Sequence, residues 1–555
     1  MLRTPEPTFL GFEDNHPLSI GFYRRLVNDY LHYTATIAFC QDAWYNEHRF
    51  LKSAFSVFRH ARGIPVGRSE NRKGEEKMYT VRFHRLGSHQ DEYDIEPTGL
   101  VRDIFKGLKF IDRTVIDFGI MQKGGGIEPG EETYHAPDIS LFEDGNPITK
   151  VLATHVHLDH FGFIPALTQY FAPTAKVYMT RPSEAMAWPI WEQGIMINSK
   201  RGTPPPYNYD QFMDAVDRIS VIEQPGMFGV IPGLPEYVEP KGHIHGACGY
   251  SIKINGTWFH VSGDQCSHDQ PGVNGAPLLE RKDDGCPHII AGSDCTYGAD
   301  PDSDKRTYRN EMDRGYDIIA RTVENGHPVL AFCFGVHRSG ALAHEMQRRG
   351  LTDIAPVFLD GQGRDFTERM LKPEGKWCGL DQELEVERVL FVENQRHRDS
   401  VVRSGKGYFV ISTPGMGGPG GTGTFWRRSI LRDPGAAVLF MGYVAPETDG
   451  AKILRAARVR DDCGEASVTF MVHDRDSGET VQETIPLRCQ VVQIRIGSHD
   501  SRGKILEWFR SFPRLQAAML NHGSKHALDS LGSELASEIP VLYRADRDRT
   551  IEFNI

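Results

Sequence analysis

Thr154-His155-Val156-His157-Leu158-Asp159-His160 packs three histidines and an aspartate into six consecutive positions. The apolar run Ile148 to Ala153 leads in and Phe161-Gly162-Phe163 leads out, so the stretch reads as a buried strand that ends by aiming its side chains at one point. Neutral imidazole and carboxylate suit zinc, and four such groups this close exceed what one tetrahedral ion can take, given their fixed directions. Two adjacent metal ions are the expectation.

Partners for that cluster stand downstream. Gly242-His243-Ile244-His245-Gly246-Ala247 precedes two alternating runs, Tyr250 to Ile254 and Thr257 to Val261, joined through Asn255-Gly256, and Ser262-Gly263-Asp264 follows. Alternation broken by Asn-Gly is a hairpin signal, and antiparallel pairing brings the histidine segment and Asp264 to the same end of a sheet. His243, directly after Gly242, is the preferred ligand, with His245 as its competitor. Asp117 closes the strand-like Arg113-Thr114-Val115-Ile116-Asp117 and is placed to orient a ligand histidine from behind.

A chain of 555 residues can bury at least two cores, and 39% hydrophobic with 25% charged residues is the composition of a globular protein. No apolar run approaches membrane-spanning length and the first residues lack the pattern of a signal peptide, so a cytoplasmic protein without membrane contact is expected. The nine cysteines are scattered, odd in number and never form a Cys-x-x-Cys pair, so neither a thiolate zinc site nor a disulfide framework is suggested. A net charge of −11 argues against a broad, nonspecific grip on a polyanion, while leaving room for a local basic groove.

The texture of the chain changes along its length. Residues 1–77 read as a helical, aromatic-rich extension closed by a polar linker, expected to pack onto the body of the chain, with a protein partner as the other use; a homodimer is a separate expectation. Residues 78–299 alternate short strands with loops, and the segment 198–240, rich in Pro and Gly, reads as a long surface loop. Over 300–445 helix and strand alternate, which implies a parallel sheet with crossovers. Residues 446–555 return to short strands, and Thr550 to Phe553 is placed to seal the first sheet.

These motifs, in this order, resemble those of the metallo-β-lactamase superfamily, and the helix-strand insertion resembles the β-CASP domain of its nucleic-acid-processing branch, which includes ribonuclease J and the pre-mRNA 3′-end endonuclease. Ser293-Asp294-Cys295-Thr296-Tyr297-Gly298 resembles the acid-bearing first β-CASP motif, Gly497-Ser498-His499-Asp500 the second and Asn521-His522-Gly523 the third, although Ser524 stands where a glutamate is usual. Ala331 to Arg338 and Thr413 to Gly420 resemble its strand-end loops. The implied fold is α/β: a metallo-β-lactamase αββα sandwich with an inserted parallel β-CASP domain.

The resemblance implies His155, His157, His243 and Asp264 on one zinc, and Asp159, His160, Asp264 and His522 on the other, with manganese as an alternative metal. It implies hydrolysis of RNA phosphodiester bonds, because histidine at the third motif accompanies RNA substrates in this family. His499 is then the proton donor to the leaving alkoxide, held by Asp294, with Asp159 at the reacting centre. Ser498, Arg338, Gly417 and Gly418 are candidates to bind substrate phosphate, and single-stranded RNA is the expected partner. The competing functions are a DNA nuclease, a small-molecule metallo-hydrolase and a non-cleaving RNA-binding scaffold.

Overall fold

The structure, a computed structural model, describes residues 78–86, 98–122, 134–201, 203–228, 234–277, 283–377, 379–418, 421–473 and 480–555. The helical extension expected over 1–77 lies outside the described residues.

Two mixed sheets face each other across a shared core. The first runs in the order Thr550–Asn554, Tyr79–Arg85, Gly99–Lys106, Lys109–Phe118, Ile148–Leu152, Phe171–Thr180, Ile219–Ile222. The second runs Val541–Arg544, Leu515–Leu520, His288–Gly292, Thr257–Val261, Cys248–Ile254, Glu236–Pro240, Gly226–Met227. Val81, Phe83, Ile104 and Ile116 of the first pack against Tyr250, Ile252, Phe259 and Met519 of the second. The last strand of the chain pairs antiparallel with Tyr79–Arg85, as its alternation predicts.

Helices cover both outer faces. Arg181–Arg201 and Tyr209–Asp217 bury Met186, Trp191 and Phe212 on the first sheet. Arg502–Arg510 and Lys525–Leu535 bury Ile505, Phe509, Leu528 and Leu531 on the second. The segment 198–240, expected as one loop, therefore holds the end of a long helix, a second helix capped by Asn208, and three strands. Pro204, Pro205, Pro206 and Pro225 fall between these elements, where a missing N–H costs nothing, and Pro240 ends the last strand.

A third sheet is wholly parallel, in the order Leu390–Phe391, Val357–Asp360, Phe409–Ser412, Val329–Phe332, Ala437–Met441, Gln490–Ile494. Its strands are apolar almost throughout, as strands buried on both faces must be. The sheet does not stop at the boundary expected at 445. The helix Asp449–Cys463 and the hairpin Ser467–His473/Thr480–Pro486 pack their Ile453, Phe470 and Ile485 on the same core, and Gln490–Ile494 adds the last strand. From Val329–Phe332 the chain crosses to one side and from the adjacent Phe409–Ser412 to the other, which makes the carboxyl ends of these two strands the switch point at which open parallel sheets form their crevice.

Candidate metal centre

The strand Ile148–Leu152 ends where the helix Leu158–Phe161 begins, and the bend between them is clamped on both sides. Thr98 N–H donates to the Asp159 carbonyl (2.8 Å) and Ile120 N–H to the Leu158 carbonyl (2.8 Å). Gly119 is required at that approach, because a Cβ there would lie 1.7 Å from the Asp159 carbonyl oxygen. Trp191 stacks on Phe161 at 4.5 Å between centroids and donates its indole N–H to the Phe161 carbonyl (3.0 Å), pinning the helix that carries Asp159 and His160.

The hairpin forms as its Asn-Gly signal predicts, with Ile254 opposite Thr257 and Tyr250 opposite Val261. A bridge between Gly242 and Gln265 continues the pairing past its open end, so His243 and Asp264 enter the cluster together. Gly263, at φ 61°, lets the chain pass against Thr154, where a Cβ would be 2.7 Å from the threonine side chain. His245 points elsewhere: its Nδ1 lies 2.9 Å from Nδ1 of His337. Of the two histidines it is His243 that stands among the clustered donors.

Four donor atoms meet on one side. His157 Nδ1 lies 3.1 Å from His155 Nε2 and 3.0 Å from His243 Nε2, and Asp264 Oδ2 lies 3.6 and 3.5 Å from the same two nitrogens. On the other side Asp264 Oδ1 lies 3.2 Å from His160 Nε2 and 3.3 Å from His522 Nδ1. Asp159 Oδ2 lies 3.6 Å from His160 Nε2 and 3.4 Å from His522 Nε2. Asp264 divides its two oxygens between the two groups.

The far nitrogens show what these contacts are. His243 Nδ1 donates to the Ser498 carbonyl (2.7 Å), and His160 Nδ1 donates to Asp117 (2.8 Å). His155 Nδ1 lies 3.1 Å from Thr154 Oγ, which in turn donates to Asp117 (2.7 Å). Each imidazole therefore carries its proton on Nδ1, and the Nε2 atoms of His155 and His243 converge on His157 as bare lone pairs. Two such contacts share at most one proton, so hydrogen bonding does not account for them. Asp264 Oδ1 is buried and has no hydrogen-bond partner among the described residues. Around a four-coordinate ion with bonds of about 2.0 to 2.2 Å, donor atoms sit roughly 3.3 to 3.6 Å apart. The residues present fit divalent cations.

Burial holds the His155 and His243 imidazoles well below their ordinary range and pushes His157 down to about 4, which keeps them neutral, as ligands must be. At His160 burial opposes the charge, yet Asp264, Asp159 and Asp117 outweigh it and push the imidazole up to about 10. Burial also works against the Asp264 carboxylate, and His160 and His522 hold it well below the carboxylate range.

Asp117 and His522 adopt φ of 57° and 44°, a left-handed conformation that costs a residue with a Cβ on the order of 1 kcal/mol or more and gathers at functional sites. Asp117 also accepts from Thr154 N–H (2.7 Å), so one carboxylate fixes two ligand histidines. Thr154 was not foreseen as that relay, and its only signal in the sequence is its place before His155.

Beside the cluster, His499 Nδ1 donates to Asp294 Oδ2 (2.8 Å), and its ring lies 4.6 Å from that of His243. Asp294 is fully buried and also accepts from Gln265 N–H (3.1 Å) and from Thr296 Oγ (2.7 Å). Thr296 Oγ in turn lies 3.3 Å from His499 Nδ1 and 3.2 Å from His522 Nδ1, a tie the sequence did not announce. Burial works against a charged His499, and Asp294 overrides it and raises the imidazole above its ordinary value.

The substrate-binding candidates divide. Ser498 is buried, and its carbonyl is spent on His243. Gly417 cannot offer a free N–H as expected, because that group donates to the Pro414 carbonyl (2.9 Å), while its own carbonyl accepts from Arg427 (3.1 Å); Gly418 follows in the same turn. Arg338 opens the helix Arg338–Arg348 at the crevice of the parallel sheet.

Residues 112–264, which hold the first cluster entire, match the model of the metallo-β-lactamase superfamily. That stretch of the chain is a metallo-β-lactamase superfamily domain. The chain's distant homologues are β-CASP proteins. It is 23% identical to the transcription termination factor FttA of Thermococcus kodakarensis over 505 residues, spanning 86% of this chain and 72% of that one. It is 22% identical to RNase aCSPSF2 of Saccharolobus solfataricus over 81% of this chain and 84% of that protein. Identity to the RNase J-like protein of Methanocaldococcus jannaschii is also 22%, over 69% of this chain and 83% of the relative. No helix among the described residues is long and apolar enough to cross a membrane.

Proposed function

We propose that this protein is a metal-dependent ribonuclease that hydrolyses RNA phosphodiester bonds. The observation that carries the proposal is the division of Asp264 between two groups of donors, with the His499–Asp294 pair beside them. His155, His157, His243 and Asp264 would hold one cation, and Asp159, His160, Asp264 and His522 the other, with zinc the ion their chemistry suits best and manganese the alternative. Bound there, the pair would supply Lewis acidity to a phosphate oxygen and a more acidic water.

The chain itself supplies the proton. His499 faces the cluster with Nδ1 tied to Asp294, so Nε2 is the atom left to protonate a leaving alkoxide, and Asp294 raises the proton affinity of this imidazole. Asp294 holds the tautomer and stabilises the charged ring. Asp159 keeps 25% of its side chain exposed at the mouth of the cluster, where water and phosphate approach. RNA is the substrate supported by the printed names of the relatives, two of which are called ribonucleases or ribonuclease-like.

The deciding test incubates purified protein with end-labelled RNA and DNA of one sequence, with zinc, with manganese and after chelation. Metal-dependent RNA cleavage is the expected result. Cleavage of DNA alone would assign a DNA nuclease, and hydrolysis confined to lactones or thioesters a small-molecule enzyme. A protein that takes up metal and binds RNA without cutting it would be a scaffold.

A further inference from the structure

Four arginines among the described residues are buried to less than a tenth of their surface, and three of them face a carboxylate. Arg102 bonds Glu236 (2.8 Å), Arg113 bonds Asp103 (2.7 Å) and Arg427 bonds Asp449 (2.9 Å). Arg338, only 7% exposed, has no side-chain hydrogen bond or ion pair among the described residues. A buried guanidinium without a counter-charge is costly, and a fold that keeps one has a use for an anion there.

Three further observations place that anion. Arg338 stands at the carboxyl end of Val329–Phe332, beside Phe409–Ser412, in the crevice where open parallel sheets receive ligands. Its guanidinium nitrogens are not among the sealed, unpartnered atoms, so its remaining exposure reaches them. Its charge is also felt by His268, which burial and Arg338 push down to about 4, and by Tyr297, whose ring lies 6.1 Å from that of His499. The acids beside His499 are committed elsewhere: Asp294 to His499, Thr296 and Gln265, and Asp500 to the Ser267 N–H (2.7 Å).

We infer that Arg338, flanked by Tyr297, Tyr308 and His268, grips a substrate phosphate other than the one being cut. The scissile group belongs at the metal cluster beside His499, whereas Arg338 opens the helix Arg338–Arg348 beside the parallel sheet and is not among the cluster's donors. The inference rests on the phosphodiester substrate proposed above and deepens it: the site selects a chain carrying several phosphates over an isolated diester. His268 and Tyr308, both close enough to feel the Arg338 charge, hold their rings 5.4 Å apart.

The test uses the full chain and a cleavage-resistant phosphorothioate oligoribonucleotide, with affinity measured by anisotropy across a salt series. Arg338→Gln should weaken binding roughly 10- to 100-fold, the loss of a charged hydrogen-bond pair. It should also flatten the plot of log affinity against log salt by about 0.7, the share of one phosphate on a single strand. Arg338→Lys, which keeps the charge without the fork, should restore the slope and part of the affinity. On a cleavable RNA the Gln variant should raise KM far more than it lowers kcat, and its deficit on bis(4-nitrophenyl) phosphate, which has one phosphate only, should be several-fold smaller.

An unchanged slope, or equal deficits on RNA and the small diester, would overturn the inference, as would a wild-type protein that binds no RNA. A wild type that binds RNA and loses that slope on substitution, yet cuts nothing, would keep the Arg338 assignment and remove the ribonuclease.

Discussion

The strands that build the sandwich carry two buried clusters of ionisable groups, and the two are built on opposite terms. In the middle, Arg102 and Lys150 of the first sheet meet Glu236 of the second and Asp112, every contact pairing a cation with an anion. A few residues farther along the same strands, His155 follows Lys150 and His243 follows Glu236 into a cluster where lone pairs face one another at 3.0 to 3.1 Å. The first cluster balances its own charges, so breaking it should cost stability. The second fits cations that it does not itself supply, so under the proposed function breaking it should cost activity.

Asp264→Asn probes that difference most sharply, since both groups of donors share this side chain. Metal content by mass spectrometry should fall from two ions to one or fewer, and RNA hydrolysis should drop on the order of 1,000-fold or more, because both roles of the pair are lost together. Metal content and turnover left unchanged by the substitution would take Asp264 out of the second class and break the comparison.

His499→Ala should lower kcat roughly 100- to 10,000-fold, the range of a general acid, while both ions remain bound. Loss of metal in step with loss of turnover would make His499 a ligand instead. Glu236→Gln is the converse experiment: one charge leaves the self-neutralised cluster and Arg102 with Lys150 stays buried against Asp112 alone. About 3 to 5 kcal/mol should be lost in urea denaturation, with metal content unchanged in the folded protein.

How far each cluster could be read beforehand follows from the same contrast. Ligand residues sit in short, local patterns: a strand ending in His155 to His160, a hairpin turn at Asn255-Gly256, an acid two residues ahead of Thr296. The self-neutralised cluster draws on positions as far apart as Arg102 and Glu236, and nothing in either neighbourhood names the other. The helix Arg181–Arg201 escaped for a different reason. Its buried face, Ser183, Met186, Ala187, Ile190 and Trp191, has helical spacing, but Trp188 and Met196 lie exposed on the other side and Pro189 interrupts the run, so no single stripe stands out. The parallel sheet was visible in its alternation, whereas its last strand, Gln490–Ile494, is separated from the others by a helix and a hairpin. The empty surroundings of Arg338 were not legible at all, because burial without a partner is a property of the packed chain.

Asp117 lies between the two classes, a carboxylate fully paired within the protein whose partners are ligands. Asp117→Asn keeps the shape but replaces one acceptor oxygen with an amide that repels the His160 Nδ1–H or the Thr154 donors. Metal affinity should fall roughly 10- to 100-fold, measured by competition with a chelator, with little change in stability. An effect confined to stability would mean that its left-handed backbone, and not its carboxylate, matters to the site.

The smallest effect belongs to a satellite of the paired cluster. Arg113 joins Asp103 and Asp144, and although burial works against the Asp144 carboxylate, the Arg113 guanidinium holds it down to about 2. A carboxylate lowered in the folded state adds stability above its unfolded value of about 3.9, and that contribution fades as pH falls toward 2. Wild type should therefore exceed Asp144→Asn in urea midpoint at pH 6, and the gap should close between about pH 4 and 2. The histidine cluster titrates in both proteins and cancels in the difference. The gap should be smaller than for Glu236→Gln, because 39% of the Asp144 side chain is exposed and water screens the pair. A gap that persists undiminished into acid would show that Asp144 acts through the turn it caps at Asn146, where it accepts the backbone N–H (2.9 Å), and not through its charge.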